Sequence, residues 1–405
     1  MSRVLFMCGP AGSGKSTYAR RLESEGFVRL SFDTEAWERG VEQPLSRQLH
    51  DEIEADLRAR LLELIDQGRD VVLDFSFWSR RMRADYRRLV EPHGIIAETV
   101  YLDAPRDVVL GRVRQRANDH ADDVALSEAL AAEYFDHFEP PSADEGPLTV
   151  VSYGEQIVRQ NRDYWEALAP HRLGEPVEFF RNGGSALTDA ERAALGEVAG
   201  RRVLQLACSV GDEALSFAML GADVTAVDIA PSHLATGRAK AAELGLDVTF
   251  AEQDMMILDP AISGFDVVYI SWGGLCWVPD LNAWARLVAG RLNPGGILVI
   301  SEHHPLWEVL TVTGDSRLMI SGDYFGSGRI WYADALKAPE ITRTIGTPDV
   351  SHRSFVWGIG RVVTAVLDAG LTLTSLQEFG DPTMYPGLGD AADDLPAIYL
   401  LAAVR

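Results

Sequence analysis

Short apolar runs alternate with segments of helical periodicity, and the alternation runs through the chain twice. In the first half "RVLFMC" (3–8), "FVRLSF" (27–32), "VVLDF" (71–75) and "AETVYL" (97–102) read as strands. Segments 15–25, 45–67, 79–90, 105–117 and 127–138 between and after them read as helices. A Pro-rich acidic turn, "EPPSADEGP" (139–147), leads into "LTVVSY" (148–153), which closes the sheet. Strand followed by helix, repeated, predicts a mainly parallel sheet with helices packed on it. Residues 155–170 read as an amphipathic helix carrying Ile157, Tyr164, Trp165 and Leu168. After the loop "HRLGEPVEFFRNGGS" the alternation restarts, with strands at 202–207, 223–228, 247–251, 265–270 and 296–301. Later strands are expected at 371–378 and 397–404, and a helix near 354–369. The stretch 302–353 fits no regular unit, and its length predicts an insertion that covers a substrate. The boundary falls between 1–153 and 154–405.

Composition bounds what two such domains can do. The 405 residues are 47% hydrophobic, enough for two sizeable cores, and carry a formal net charge of −23 spread over both halves. A uniformly acidic surface repels phosphate backbones and argues against nucleic acid as a bulk partner, a local basic groove aside. Small-molecule substrates fit better; oligomeric state stays open. Cys8, Cys208 and Cys276 lie far apart without metal spacing and read as reduced thiols of a cytoplasmic protein. The apolar start "MSRVLFMCGP" is short and runs into a glycine loop, so it reads as a strand rather than a signal peptide. No 18-residue apolar stretch suggests a membrane span.

The first chemistry-bearing motif is "GPAGSGKS". Gly9, Gly14, Lys15 and Ser16 match G-x-x-x-x-G-K-[ST] between a strand and a helix. Glycines, Gly12 among them, let backbone N–H groups converge on phosphate oxygens, and the helix N-terminus carrying Thr17 points at them. Lys15 suits the β- and γ-phosphates of ATP, and Ser16 suits Mg²⁺. The chain has only Lys15, Lys240 and Lys337 among 37 basic residues, yet keeps a lysine where a compact charge is needed. "SFD" puts Asp33 at the end of the second strand, and Asp74 ends the third. Arg112 and Arg116, at i and i+4, share a helix face.

Over about 1–153 these features resemble the small P-loop kinases with an adenylate-kinase-like core, the group containing polynucleotide kinase, chloramphenicol phosphotransferase and zeta-toxin-like kinases. The resemblance implies Asp33 as the general base for an acceptor hydroxyl, and Arg112 and Arg116 as lid arginines on the migrating phosphoryl group. Read from the residues alone, Asp33 could also be a strand-end acid capping a helix, and the arginines a solvated face. Asp74 orders Mg²⁺ through water or caps a turn. The run "RRMRADYRR" (80–88) reads as a charged outer helix face rather than an acceptor site.

The second loop, "QLACSVGD" (205–212), keeps only Gly211. Asp228 ends the next strand about 20 residues beyond Cys208, the distance at which an acid reaches a ribose hydroxyl pair. "QDM" (253–255) follows the third strand, and "FDVVYISWGGLCWVPDL" and "LNPGGILVI" follow in turn. In this order the segments resemble class I S-adenosylmethionine (SAM)-dependent methyltransferases over about 155–405. The resemblance implies that Asp228 and Ile229 meet the ribose side, that Asp254 and Met255 meet the adenine, and that the loop holds the methionine end. Gln205, Ala207 and Ser209 replace the family's acid and two glycines. Small side chains keep the loop passable, Ser209 adds a hydroxyl, and the Gln205 amide can still accept a bond from the methionine ammonium. His303 and His304 could deprotonate an acceptor or serve an ordinary loop. Trp272, Trp277, Tyr324, Trp331 and Trp357 could line an acceptor pocket or pack in the core.

The expected fold is therefore α/β: two three-layer α/β/α domains, a P-loop NTPase followed by a Rossmann-like methyltransferase. The expected function is a bifunctional transferase using ATP, Mg²⁺ and SAM. Its rivals are a methyltransferase with an ATP-binding regulatory domain and a non-catalytic ATP/SAM sensor.

Overall fold

A computed structural model describes residues 2–41, 46–114, 126–322, 324–325 and 352–405. They fall into two compact units, Met1–Gln156 and Ile157–Arg405.

The first unit is built on five parallel strands, β1 (Val4–Cys8), β2 (Val28–Ser31), β3 (Val71–Asp74), β4 (Glu98–Leu102) and β5 (Leu148–Val151), in the order β2-β3-β1-β4-β5. β1 is apolar at every position because helices cover both faces of the sheet. Val4, Phe6 and Cys8 point into a core shared with the helix Arg47–Asp66, while Leu5 and Met7 point into another shared with the helix Lys15–Ser24. The loop leaving β1 therefore emerges at the central carboxyl edge, beside the strand where the chain order reverses.

Two expectations change here. A short helix, Phe32–Glu38, follows β2 directly, because Ser31 caps it by accepting the Thr34 N–H at 3.3 Å. The run 80–88 is not wholly an outer face. Arg83 is fully buried, forks onto both oxygens of Glu145 at 2.7 and 2.8 Å, and donates to the carbonyls of Phe77 and Glu139. It thereby ties the acidic turn before β5 to the helix Arg80–Val90.

The second unit is built on a seven-stranded sheet of β6 (Arg202–Leu206), β7 (Asp223–Asp228), β8 (Val248–Glu252), β9 (Phe265–Ile270), β10 (Leu292–His303), then β13 (Thr372–Gly380) and β14 (Pro396–Val404) after a small separate hairpin of β11 (Leu310–Val312) and β12 (Leu318–Ile320). Their order is β13-β14-β10-β9-β6-β7-β8; β14 lies antiparallel between β10 and β13, the rest parallel. Two apolar cores sandwich the sheet, one around Trp284, Val288 and Val362 of the helices Leu281–Arg291 and Ile359–Asp368. The other lies around Leu215, Phe217 and Leu234 of the helices Asp212–Met219 and Pro231–Leu244.

The stretch 302–353 is more regular than its sequence suggests. β10 continues to His303, and the helix Pro305–Val309 and the β11–β12 hairpin follow. Residues 326–351 of that stretch lie outside the described residues, as do Arg116 and the end of the helix expected at 105–117, seen as Arg106–Arg114. Among the described residues no helix is long and apolar enough to cross a membrane. The three cysteines are free thiols.

Candidate functional site

The carboxyl ends of β6, β7, β9 and β10 in the second unit open into a cavity of about 340 Å³. This is where ligands collect in an open α/β sheet, since loops splay apart there and helix N-termini face inward. Ala207, Ser209, Asp228, Ile229, Asp254 and Met255 line it. So do Asn161, Trp165 and Arg172, from the helix Tyr153–Leu168 and the loop after it.

The turn leaving β6 explains how a loop without its glycines keeps its shape. Ala207 and Ser209 sit in the left-handed region, at φ 51° and 50°, a conformation that costs an L residue about 1–2 kcal/mol. Asp228 holds the turn there: its Oδ2 accepts the Ser209 N–H at 2.8 Å and its Oδ1 the Ala230 N–H at 2.9 Å. Burial pushes this carboxyl up to about 6, against the pull of the two N–H groups and Arg172. Asp254, likewise raised by burial, accepts the Met256 N–H at 2.8 Å.

Arg172 donates from Nε to Ser209 Oγ at 2.8 Å and lies over the Trp165 ring at 5.2 Å. A latch fixes its segment. Asp212 Oδ2 accepts the Glu175 N–H at 2.7 Å, while its Oδ1 pairs with the buried Lys240 at 2.6 Å. A Cβ on Gly174 would fall 2.1 Å from Asp212 Oδ2, so only glycine lets this segment pass.

Two loop residues sit off the cavity. Gly211 caps the helix Asp212–Met219 at φ 78°, and a Cβ there would meet the Phe250 ring at 2.7 Å; its role is packing. Gln205 is fully buried behind the wall and donates to Glu213 Oε2 at 3.2 Å. Glu213 in turn accepts the Ser271 hydroxyl at 2.8 Å, and burial raises its carboxyl. Its Oε1, the atom expected to accept from an ammonium, is buried without a hydrogen-bond partner, and Gln205 is not among the residues that line the cavity.

The opposite wall is aromatic. Trp272, Trp277, Trp307, Phe355, His303 and His352 all line it. Trp165 meets Trp277 edge-on at 5.2 Å, and His352 lies 4.5 Å from Tyr164. Residues 352–356 are threaded along the cavity: Asn161 donates to the Arg353 carbonyl and accepts its N–H, and Phe355 N–H donates to Cys276 O at 2.7 Å. Of the other aromatic candidates, Trp357 packs against the core and donates to Val278 O at 3.0 Å, Tyr324 does not line the cavity, and Trp331 lies outside the described residues. Beneath the wall Glu302 is buried, accepting the N–H groups of Gly273, Leu275 and His303 at 2.5, 2.6 and 2.8 Å. Burial raises it to about 7.

In the first unit the loop 9–16 wraps the N-terminus of the helix Lys15–Ser24. Gly12 and Gly14 take φ 87° and 103°, and a Cβ on Gly12 would lie 2.7 Å from the Val109 carbonyl. That contact seats the helix Arg106–Arg114 on the loop, and Arg112 Nη1 donates to the Gly12 carbonyl at 2.7 Å. Lys15 Nζ donates to Pro10 O at 3.0 Å. Ser16 and Thr17 occupy the first turn, and Asp33 the first turn of Phe32–Glu38, where Ser31 rather than Asp33 supplies the cap. Asp74 is buried with its Oδ2 held by Arg29 at 2.6 and 2.9 Å.

Residues 4–141 match the family model described as an AAA domain, and residues 203–296 match that of a methyltransferase domain. The chain joins a P-loop domain to a methyltransferase domain. It is similar to a ubiquinone biosynthesis O-methyltransferase of Xanthomonas euvesicatoria, 35% identical over 151 residues, 36% of this chain and 60% of that protein. It is also similar to a demethylmenaquinone methyltransferase of Thermus thermophilus, 39% identical over 111 residues, 27% of this chain and 50% of that protein. The chain thus spans about 60% or less of the length of these relatives. Among solved structures it is similar to a SAM-dependent methyltransferase from Mesorhizobium loti, 24% identical with TM-score 0.42, covering 57% of this chain and all of that one.

In the methyltransferase domain the structure gathers Ala207, Ser209, Asp228, Ile229, Asp254 and Met255 on one cavity and leaves out Gln205 and Gly211. In the P-loop domain it brings Arg112 to the loop of Gly9, Gly12, Gly14 and Lys15. Sequence reasoning missed Arg172, Glu302, Trp307 and the 352–356 segment. Only Glu302, an acid where an apolar strand ends, left a signal of the kind that marked Asp228.

Proposed function

We propose that the chain is a bifunctional transferase, methylating one small molecule with SAM in the second domain and phosphorylating one with ATP in the first. The observation that carries the methyl-transfer reading is the pairing of Asp228 with the left-handed turn at Ala207 and Ser209, on the wall of a partly aromatic cavity. These residues fit the cofactor. Each Asp228 oxygen accepts one backbone N–H and keeps lone pairs for a ribose hydroxyl. Asp254 stands ready for an adenine amine, and Arg172 with Ser209 for a carboxylate. Bound SAM supplies an electrophilic methyl group. The protein's part is to align an acceptor with it and exclude water, which the wall of Trp272, Trp277, Trp307 and Phe355 does. The described ends of the 302–353 stretch add Trp307, Glu308 and His352 to the cavity lining. The relatives named for ubiquinone and menaquinone steps act on ring substrates by their names, and a ring suits this wall.

Phosphoryl transfer rests on the P-loop with Lys15 and the approach of Arg112. Lys15 and Arg112 would meet the phosphates, Ser16 would hold Mg²⁺, and Asp33 would receive the acceptor proton. Lys15 and Arg112 bond to loop carbonyls, contacts that ATP phosphates would replace. The deciding experiment incubates a metabolite extract with the protein, ATP and SAM and follows products by mass spectrometry. Products heavier by a methyl group and by a phosphoryl group support both halves. ATP binding without any phosphorylated product would leave the first domain a regulator.

A further inference from the structure

β10 ends in two adjacent histidines whose surroundings differ. His304 is committed to structure. Its Nδ1 accepts the Leu306 N–H at 3.1 Å, capping Pro305–Val309, so its Nε2 carries the proton and donates to Glu378 at 2.8 Å. His303 faces the cavity, its ring 4.6 Å from Trp307 and 5.9 Å from Trp272. Its Nδ1 lies 3.8 Å from both Glu302 Oε1 and Glu308 Oε1, too far for a hydrogen bond. Among the described residues no hydrogen bond engages its ring.

We propose that His303 is the general base of the methyltransferase domain, taking the proton of a hydroxyl on an aromatic ring seated against Trp272 and Trp307. The proposal rests on the SAM-dependent reading above. The acceptor class follows from the wall: flat indoles favour a ring, and a neutral imidazole removes a proton only from an acceptor that has one to lose on methylation. The hydroxyl oxygen bonds to the methyl carbon, the carbon–sulfur bond breaks with its pair going to sulfur, and the hydroxyl proton passes to His303 Nε2.

The charges around the ring suit this task. Burial, reinforced by Arg172, pushes His303 down to about 4. The ring is therefore neutral at physiological pH, with a lone pair to offer. A weak base suffices because the hydroxyl becomes a far stronger acid as its oxygen bonds to carbon. Glu308, 3.8 Å from Nδ1, stands where a carboxylate would steady the imidazolium until its proton passes to solvent.

The test uses the full chain, His303→Gln and His303→Ala, with 4-nitrocatechol as acceptor probe and S-adenosylhomocysteine as the unreactive cofactor. Calorimetry reads S-adenosylhomocysteine affinity, expected within about threefold of wild type in both variants, which also certifies their folding. Nitrogen NMR of the imidazole, assigned by its loss in His303→Gln, should show a neutral ring whose Nε2 resonance shifts when 4-nitrocatechol is added. Single-turnover methylation of the probe should fall by ~10²–10⁴-fold in both variants. Failure of wild type to bind S-adenosylhomocysteine would overturn the SAM reading itself. Normal cofactor binding without binding of the probe would overturn the aromatic-hydroxyl acceptor, and an unmoved Nε2 or an undiminished rate in His303→Gln would overturn the base.

Discussion

Asp228 carries two loads, and pH separates them. Its carboxylate fixes the turn at Ser209 and Ala230 and would accept from the ribose hydroxyls of SAM. Only the ionised form can accept from all four partners at once. Burial pushes its pKa up to about 6, so the free protein holds this proton more tightly than the unfolded chain does. The folded-state stability gained from that proton is present at low pH and lost as pH rises through about 6. SAM binding runs the other way. At pH 5 only about a tenth of a group with pKa about 6 is ionised, so apparent SAM affinity should fall about tenfold between pH 7 and pH 5. Glu302, at about 7, and Asp254, raised by burial, also titrate near the cavity, so the wild-type slope alone does not decide the matter. Asp228→Asn does. It should weaken SAM binding at pH 7 by roughly 10–10³-fold, since charge-assisted bonds contribute ~1.5–3 kcal/mol each, and should abolish most of the pH slope. Titration calorimetry across that pH range, with thermal unfolding as the folding control, reads both quantities. A slope that survives in Asp228→Asn, or an affinity unchanged at pH 7, would refute the assignment of Asp228 to the ribose.

The other sites give sharper single outcomes. Gln205→Glu should not tighten SAM binding but destabilise the fold by about 2 kcal/mol or more, because it sets a second carboxyl against buried Glu213; thermal unfolding checks it, and an unchanged melting temperature would count against the Gln205–Glu213 contact. Lys15→Ala should abolish ATP turnover while leaving SAM affinity near normal, and a collapse of SAM binding in the folded variant would contradict independent sites. Asp33→Asn should hold nucleotide affinity within a few-fold yet cut phosphoryl transfer by ~10²-fold or more; unchanged turnover would reduce Asp33 to a structural acid.

What the sequence made legible is what local chemistry specifies. The P-loop reads directly because glycines, a lysine and a serine must be contiguous to cradle phosphate. Asp228 reads because it ends an apolar strand beside the loop that leaves β6, and Asp254 because it follows the next strand in order. The helix Phe32–Glu38 was hidden inside a strand-like run, although Ser31 followed by an acid-rich turn is a cap signature. Arg83 was misread because its charge pattern marks a surface, and only the distant Glu145 makes its burial tolerable. Arg172 was illegible for the same reason: its place depends on Gly174, Glu175, Asp212 and Lys240, residues brought together by the fold alone.

The degenerate loop shows how a glycine signature can vanish while its geometry persists. Glycine serves such a turn by removing the cost of positive φ; here Ala207 and Ser209 bear that cost and the surroundings offset it. The Ser209 N–H bonds to a carboxylate, its hydroxyl takes a bond from Arg172, and Gly211 keeps the one glycine where Phe250 leaves no room for a side chain. The clamp and the expected ligand contact are then the same carboxylate. Filling the ribose site satisfies the remaining lone pairs of the group that already holds the turn, so cofactor binding and loop order should reinforce each other. The Asp228 clamp lets the strained turn persist without its glycines, and it makes Asp228, rather than any residue of the loop itself, the position whose loss should disturb the cavity most.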